Sequence, residues 1–247
     1  MQTARNRKAK RAEKCCSQQC GQHGLQFVRH CKDAAALPQD AHWKEVKLCK
    51  KKFVLPCEST VDLPFSYVNE RHIPVIFYSY TIDGKEYTDD MYRDAEAIPR
   101  FYQLLKDGKH PSTSQINTFS YLEFFEQQLQ TGDLLHIAFG SGMTQSVRNA
   151  ALAAEKLRGK YPKRKITVID SLCTSSGYGI LVDYAADMRD KGCSLKETEQ
   201  WLLHNRRNIH HEFFSTELEH YRRSGRVSGA AATGGNRSRN LSNHAAG

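Results

Sequence analysis

The chain has 247 residues and a formal net charge of +9; at 39% hydrophobic and 26% charged it has the composition of an ordinary globular protein. Its longest apolar runs are too short to span a bilayer, and its basic start lacks the apolar stretch of a secretory signal, so neither a membrane span nor export is expected. The charge is local: residues 1–52 carry 13 Lys/Arg against 4 Asp/Glu, and the remaining residues hold 23 of each sign, a neutral body.

Residues 1–52 are polar, basic and without periodicity, and are read as a disordered extension. RNRKAKR near the start suggests a nucleic-acid or anionic-membrane arm. Without interleaved aromatics it points to no specific nucleic acid, and at most to transient membrane contact. Cys16-x3-Cys20, followed by His23, His30 and Cys31, matches no standard zinc spacing, so no metal site is expected. Cys57, Cys173 and Cys193 read as isolated thiols of a reducing, cytoplasmic setting.

Folding is expected to begin at Phe53-Val54-Leu55, a short buried strand. It ends in the hydroxyl- and carboxylate-bearing loop Glu58-Ser59-Thr60-Val61-Asp62-Leu63, followed by a short helix from Pro64 to Glu70. Residues 73–82 are β-rich, and Asp83-Gly84 supplies a hairpin turn. Ala97 to Lys106 is an amphipathic helix closed by Asp107-Gly108. Ser112-Thr113-Ser114-Gln115 reads as a small polar loop before a helix from Thr118 to Leu129, with Tyr121, Leu122, Phe125 and Leu129 facing inward.

Leu134 to Phe139 has the length of a buried strand and runs into the small-residue turn Gly140-Ser141-Gly142-Met143-Thr144-Gln145-Ser146. From Ser146 the pattern is helical, with Val147, Ala151, Ala154 and Leu157 on one face. Free N–H groups and the dipole at such a helix start suit an anion, and Ser141, Thr144 and Ser146 add hydroxyls. The competing reading is that Thr144 or Ser146 is only an N-cap. Residues 165–171 form another buried strand ending in a polar turn, and helices to Arg189 and from Leu195 to Asn208 follow. His210-His211-Glu212 is read as a strand entry with one buried imidazole.

Alternating strands and helices indicate an α/β fold, a parallel sheet flanked by helices, with ligands off the carboxyl ends of the strands. Every such end here carries Ser or Thr. There is no G-x-S-x-G elbow, P-loop or dinucleotide fingerprint, and no nucleophile–base pair. The chain reads as a binder.

These residues resemble the DegV family of fatty-acid-binding proteins over about Phe53 to Ala232. Glu58-Ser59-Thr60-Val61-Asp62-Leu63 is similar to the family's D-S-T-x-D-L loop, with Glu for the first Asp, and Ser112-Thr113-Ser114-Gln115 to its T-S-Q loop. Residues 137–150 resemble its S-S-G-L-S-G-T stretch, with Gly140 for the first Ser and Thr144-Gln145-Ser146 for Ser-Gly-Thr. Val168-Ile169-Asp170-Ser171 with Ser176-Gly177-Tyr178-Gly179, then Phe213 to Leu218, and then Arg223-Ser224-Gly225-Arg226-Val227-Ser228 continue the match in order.

The resemblance implies a non-catalytic carrier of a long-chain fatty acid, with no other cofactor, that presents the acyl group to an ATP-dependent fatty acid kinase. It implies that Thr113, Ser114 and Thr144, with Ser141 and Ser146, hold the carboxylate. Ser59, Thr60, Asp62, Arg223 and Arg226 would lie at the pocket mouth or face the partner. Gln145, in place of the family's Gly, is expected to crowd the carboxylate. Family members continue past the 223–228 turn, whereas here a polar, small-residue stretch follows Ala232. The expected organisation is therefore an extension (1–52), a DegV-like α/β lobe (53–209), the start of a truncated second lobe (210–232) and a disordered tail (233–247). Two other function classes stay open. One is a phosphotransfer enzyme using the same loops with Asp89, Asp90 or Asp170 on Mg²⁺; the other is nucleic-acid binding through the basic arm.

Overall fold

Buried on both faces, the apolar run at residues 134–138 is the axis on which the other elements pack. The computed structural model describes residues 53–212 and 219–227, and these divide between Ile209 and His210 into two compact units. The expectations for residues 1–52, 213–218 and 228–247 lie outside the described residues.

In the first unit the chain enters β1 (Cys57–Glu58), a 3-10 turn (Ser59–Val61), α1 (Phe65–Glu70) and β2 (Val75–Ile76). β3 (Ser79–Ile82), β4 (Lys85–Thr88), α2 (Ala97–Lys106), β5 (Ser112–Ser114) and α3 (Thr118–Leu129) follow. Next come β6 (Leu134–Ala138), α4 (Ser146–Lys160), β7 (Ile166–Asp170), α5 (Ser175–Asp190) and α6 (Leu195–Asn205), with a 3-10 turn at Arg206–Asn208.

β1 pairs with β2 and β6 with β7, both in parallel. The Leu135 and Ile137 N–H groups donate to the carbonyls of Val54 and Pro56, laying the start of the chain along β6. Hydrogen bonding therefore runs β2–β1–β6–β7. The expected strand at Phe53-Val54-Leu55 is displaced: only Val54 bridges Leu134, and the regular ladder starts at Cys57, beyond Pro56, which has no N–H to give. The β-rich run 73–82 is likewise split, β2 joining the parallel strands and β3 an antiparallel sheet of order β4-β3-β5. Ser112-Thr113-Ser114, expected as a loop, is the edge strand β5, with Thr113 opposite Tyr80 and Ser114 opposite Ser79.

Side chains of β6 alternate between two layers. Leu135 and Ile137 pack with Tyr178, Leu181, Val182 and Ala185 of α5 and Leu202 of α6. Leu134 packs with Tyr121, Phe125 and Leu129 of α3 and Ala150, Ala153, Ala154 and Leu157 of α4. Helices thus cover both faces, which explains why β6 is buried along its whole length and apolar except at His136 instead of alternating. The buried face of α4 keeps the expected Ala154 and Leu157, but at its start Ser146, Ala150 and Ala153 are inside while Val147 is only half-buried and Ala151 is exposed. α3 begins on Asn117, whose side chain accepts the Ser120 N–H, and α6 on a capping box between Ser194 and Glu197.

In the second unit α7 (Glu219–Arg223) ends in a turn with Gly225 at φ 74°, where the Arg226 N–H donates to the Tyr221 carbonyl. His210-His211-Glu212 itself forms no strand and neither imidazole is buried; the residues it leads into, 213–218, lie outside the described residues. Three consecutive polar residues offer no apolar face to seat in a sheet.

Candidate functional site

The turn between β6 and α4 is held by its own small residues. The Gly140 N–H donates to the Cys173 carbonyl at 2.9 Å, and a β-carbon at Gly140 would lie 2.8 Å from that same oxygen. A serine cannot occupy this position without moving the chain after β7. Ser141 is exposed, and its N–H donates to Asp170 Oδ1, which also accepts the Leu172 N–H. Gln145 is exposed, with an ordinary φ of −89°, so the backbone does not call for glycine there.

Thr144 and Ser146 are brought together. Their hydroxyl oxygens are 3.0 Å apart, and Thr144 Oγ1 accepts the Ser146 N–H at 3.2 Å. Ser146 is fully buried and its Oγ accepts the Ile116 N–H at 3.1 Å. Asn149 Nδ2 donates to the Ile116 carbonyl at 2.8 Å, so two bonds fix the chain after β5 to the first turn of α4. Thr113 and Ser114, both exposed, are carried on β5 just before that tie. Gln145, the N-cap of α4, gives no side-chain cap, and Thr144 covers only the first N–H of the helix.

The mouth candidates Ser59 and Asp62 are braces as they stand. Ser59 Oγ accepts the Tyr78 N–H, and Asp62 accepts the hydroxyls of Tyr92 and Ser175 at 3.1 and 2.7 Å. Thr60 Oγ1 is buried without a hydrogen-bond partner among the described residues. Arg223 and Arg226 are exposed in the second unit. Of the other carboxylates, Asp89 accepts the Met91 N–H, and Asp90 those of Tyr92 and Asp94. Burial, outweighing that bond, holds Asp89 above the ordinary range of aspartate.

Sequence reasoning missed the polar cluster beneath the turn. Glu58 is fully buried; its Oε1 accepts from Tyr121 Oη at 2.6 Å and faces His136 Nε2 at 3.2 Å. Its Oε2 accepts from Tyr78 Oη and the Phe139 N–H, both at 3.1 Å. His136 Nδ1 faces the Pro56 carbonyl at 3.2 Å, so both ring nitrogens meet acceptors. An imidazolium against a carboxylate satisfies this arrangement, as does one proton shared between the two groups. Burial, then the charge of Glu58, pushes the Tyr78 and Tyr121 hydroxyls well above the usual phenol range. The signal was present: a tyrosine on the inner face of α3 and a histidine inside an apolar strand each require a buried partner.

Residues 52–238 match the family model described as "Uncharacterised protein, DegV family". A DegV domain-containing protein of Clostridium perfringens is 38% identical over 184 residues, which cover 74% of this chain and 62% of the relative. One from Lactococcus lactis is 32% identical over 181 residues, covering 73% and 62%. The chain therefore spans somewhat under two thirds of the length of these curated relatives. Among solved structures, a DegV family protein of Thermus thermophilus, described by its fatty-acid binding, superposes with a TM-score of 0.63 at 26% identity, over 72% of this chain and 62% of that one. The Streptococcus pneumoniae Fatty Acid Kinase (Fak) B3 protein, loaded with linoleic acid, superposes with a TM-score of 0.65 at 17% identity, over 79% and 69%, a likeness of fold.

Proposed function

Because the chain belongs to the DegV family, we propose that it binds the carboxyl end of a long-chain fatty acid at the Thr144–Ser146 turn and carries the acyl group without transforming it. The observation that carries this reading is the tied pair of hydroxyls, 3.0 Å apart at the start of α4, on a fold like that of the fatty-acid-binding Thermus protein. Hydroxyl donors at the positive end of a helix favour a carboxyl group. Thr113 and Ser114, on the strand leading to Ile116, are the further donors of this reading, and Ser141 flanks the turn.

On this reading the acyl tail supplies affinity at about 0.8 kcal/mol per buried methylene, and the hydroxyls supply orientation. The chemistry belongs to a partner, an ATP-dependent kinase that phosphorylates the presented carboxyl group in the cytoplasm. Ser59, Thr60, Asp62, Arg223 and Arg226 are our candidates for the mouth and the partner-facing surface. Among the described residues no helix is long and apolar enough to cross a membrane.

Titration with oleate tests the reading. The parent chain is expected to bind it, and Thr113→Ala/Thr144→Ala to bind it at least about thirtyfold more weakly, the loss of about 2 kcal/mol of charge-assisted hydrogen bonding. Equal affinity in parent and variant would place the head group elsewhere.

A further inference from the structure

Thr113 and Thr144 come from separate segments, so one carboxyl group meets both only if β5 is fixed against the start of α4. β5 pairs with β3 but buries none of its own residues. Its place beside α4 is set where the chain leaves it, at Ile116. That residue is buried, and α4 takes both of its backbone groups: the N–H donates to Ser146 Oγ at 3.1 Å, and the carbonyl accepts from Asn149 Nδ2 at 2.8 Å. Ser146 and Asn149 lie one helical turn apart on the same face of α4. Together they hold Ile116 by donor and acceptor at once, as a neighbouring strand does in a ladder. Thr118 Oγ1 donates to Asn149 Oδ1 at 3.4 Å, which leaves the NH₂ end of the amide for the Ile116 carbonyl, an acceptor only.

One proton of the Thr144–Ser146 pair is spent inside the pair, across 3.0 Å. With Ser146 as that donor, Thr144 keeps its own proton for a ligand while its oxygen accepts the Ser146 N–H. The pair then supplies one hydroxyl proton, and a carboxylate, with two acceptor oxygens, calls for a second donor. Thr113, carried on β5 just ahead of Ile116, is placed to be that donor. We infer that Asn149 is a positioning residue of the head-group site: by holding Ile116 it sets the spacing at which Thr113 and Thr144 close on one carboxylate. An alcohol head group needs one bond and does not depend on that spacing. Asn149 therefore acts on the binding of carboxylates and not on that of alcohols. This rests on the fatty-acid reading above and refines it.

The test is calorimetric titration of the parent chain, Asn149→Leu and Asn149→Ala with decanoate and with decan-1-ol at about pH 7.5, where decanoate is ionised. Leucine has nearly the shape of asparagine and favours a helix, so it removes the bond to Ile116 without opening a cavity or weakening α4. Decanoate affinity is expected to fall about tenfold in both variants, with decan-1-ol within about twofold of the parent. Thr113→Ala should weaken decanoate about tenfold in the parent but less than about twofold in Asn149→Leu, where Thr113 no longer meets the head group. Equal losses of both ligands, unchanged decanoate affinity, or an undiminished effect of Thr113→Ala overturns the inference, because a merely structural Asn149 predicts one of these. Thr118→Val, which keeps Asn149 but removes the hydroxyl that orients it, decides if neither variant folds: the ratio of decanoate to decan-1-ol affinity should fall about threefold, and an unchanged ratio overturns the inference. If the parent binds neither ligand, the fatty-acid reading fails, and amide hydrogen exchange decides the inference. The Ile116 amide should then exchange at least about tenfold faster in Asn149→Leu while those of Leu135 and Ile137 keep the parent rate; an unchanged Ile116 rate overturns it.

Discussion

The α-carbon of Gly179 lies against the carbonyl oxygen of Val61 so closely that a β-carbon there would sit 2.6 Å from it. This approach seats the first turn of α5 on the 3-10 turn after β1 and lets Ser175 reach Asp62. Alanine would raise intrinsic helix propensity by about 1 kcal/mol, but the clash is with backbone, which yields little. Gly179→Ala is expected to lose about 1–3 kcal/mol in urea unfolding. A gain in stability would show that the two turns are not in contact.

Tyr121→Phe removes the shortest bond to the buried Glu58 carboxylate and leaves the ring in place against Phe125 and His136. A bond to a buried charge predicts a loss of about 1.5–3 kcal/mol by chemical denaturation. A change within about 0.5 kcal/mol would mean that Glu58 does not depend on this donor.

Arg71 joins α1 to three carboxylates of α5, with Asp187, Asp190 and Asp183 at 3.0, 2.8 and 3.4 Å. Burial raises the Asp190 carboxyl, but its bonds to Arg189 and Arg71 outweigh that and hold it below the usual aspartate range. A lowered carboxyl contributes stability above the ordinary aspartate value and loses it as the pH falls through the folded value. Arg71→Met is expected to be about 1 kcal/mol less stable at neutral pH, a modest figure because these aspartates are substantially exposed. The gap should close in acid below about pH 4, and a gap independent of pH would contradict this account.

Cys173 is buried, and its thiol is pushed up to about 12 by burial and then by the charge of Asp170. Burial and the neighbouring Glu58 push Cys57 above its ordinary range as well. Peptide mass spectrometry after brief iodoacetamide treatment at about pH 8 should find both unmodified in the folded chain and alkylated in urea. Rapid labelling of Cys173 in the native chain would contradict its burial.

Much of the fold was legible where one signal dominated. The helix over Ala97–Lys106 announced its end with Asp107-Gly108, and Gly108 indeed takes a φ of 77°. β5 was illegible because Ser112, Thr113 and Ser114 have no apolar alternation; only Tyr80 and Ser79 opposite them make a strand. β1 was misplaced because Phe53 and Leu55 are as buried as a strand demands, while Pro56 delays the ladder. Of the candidate site, the Thr144–Ser146 pair was visible as a hydroxyl turn. Glu58, Tyr78, Tyr121 and His136 come from four separate segments, and local periodicity carries no information about such a meeting.

The most direct test of the central claim is mass spectrometry of lipid extracted from the purified chain, beside Thr113→Ala/Thr144→Ala prepared in the same way. The account predicts fatty acid at close to one per chain in the parent and little in the variant. A folded parent that carries no fatty acid, and takes none up when oleate is supplied, would contradict it.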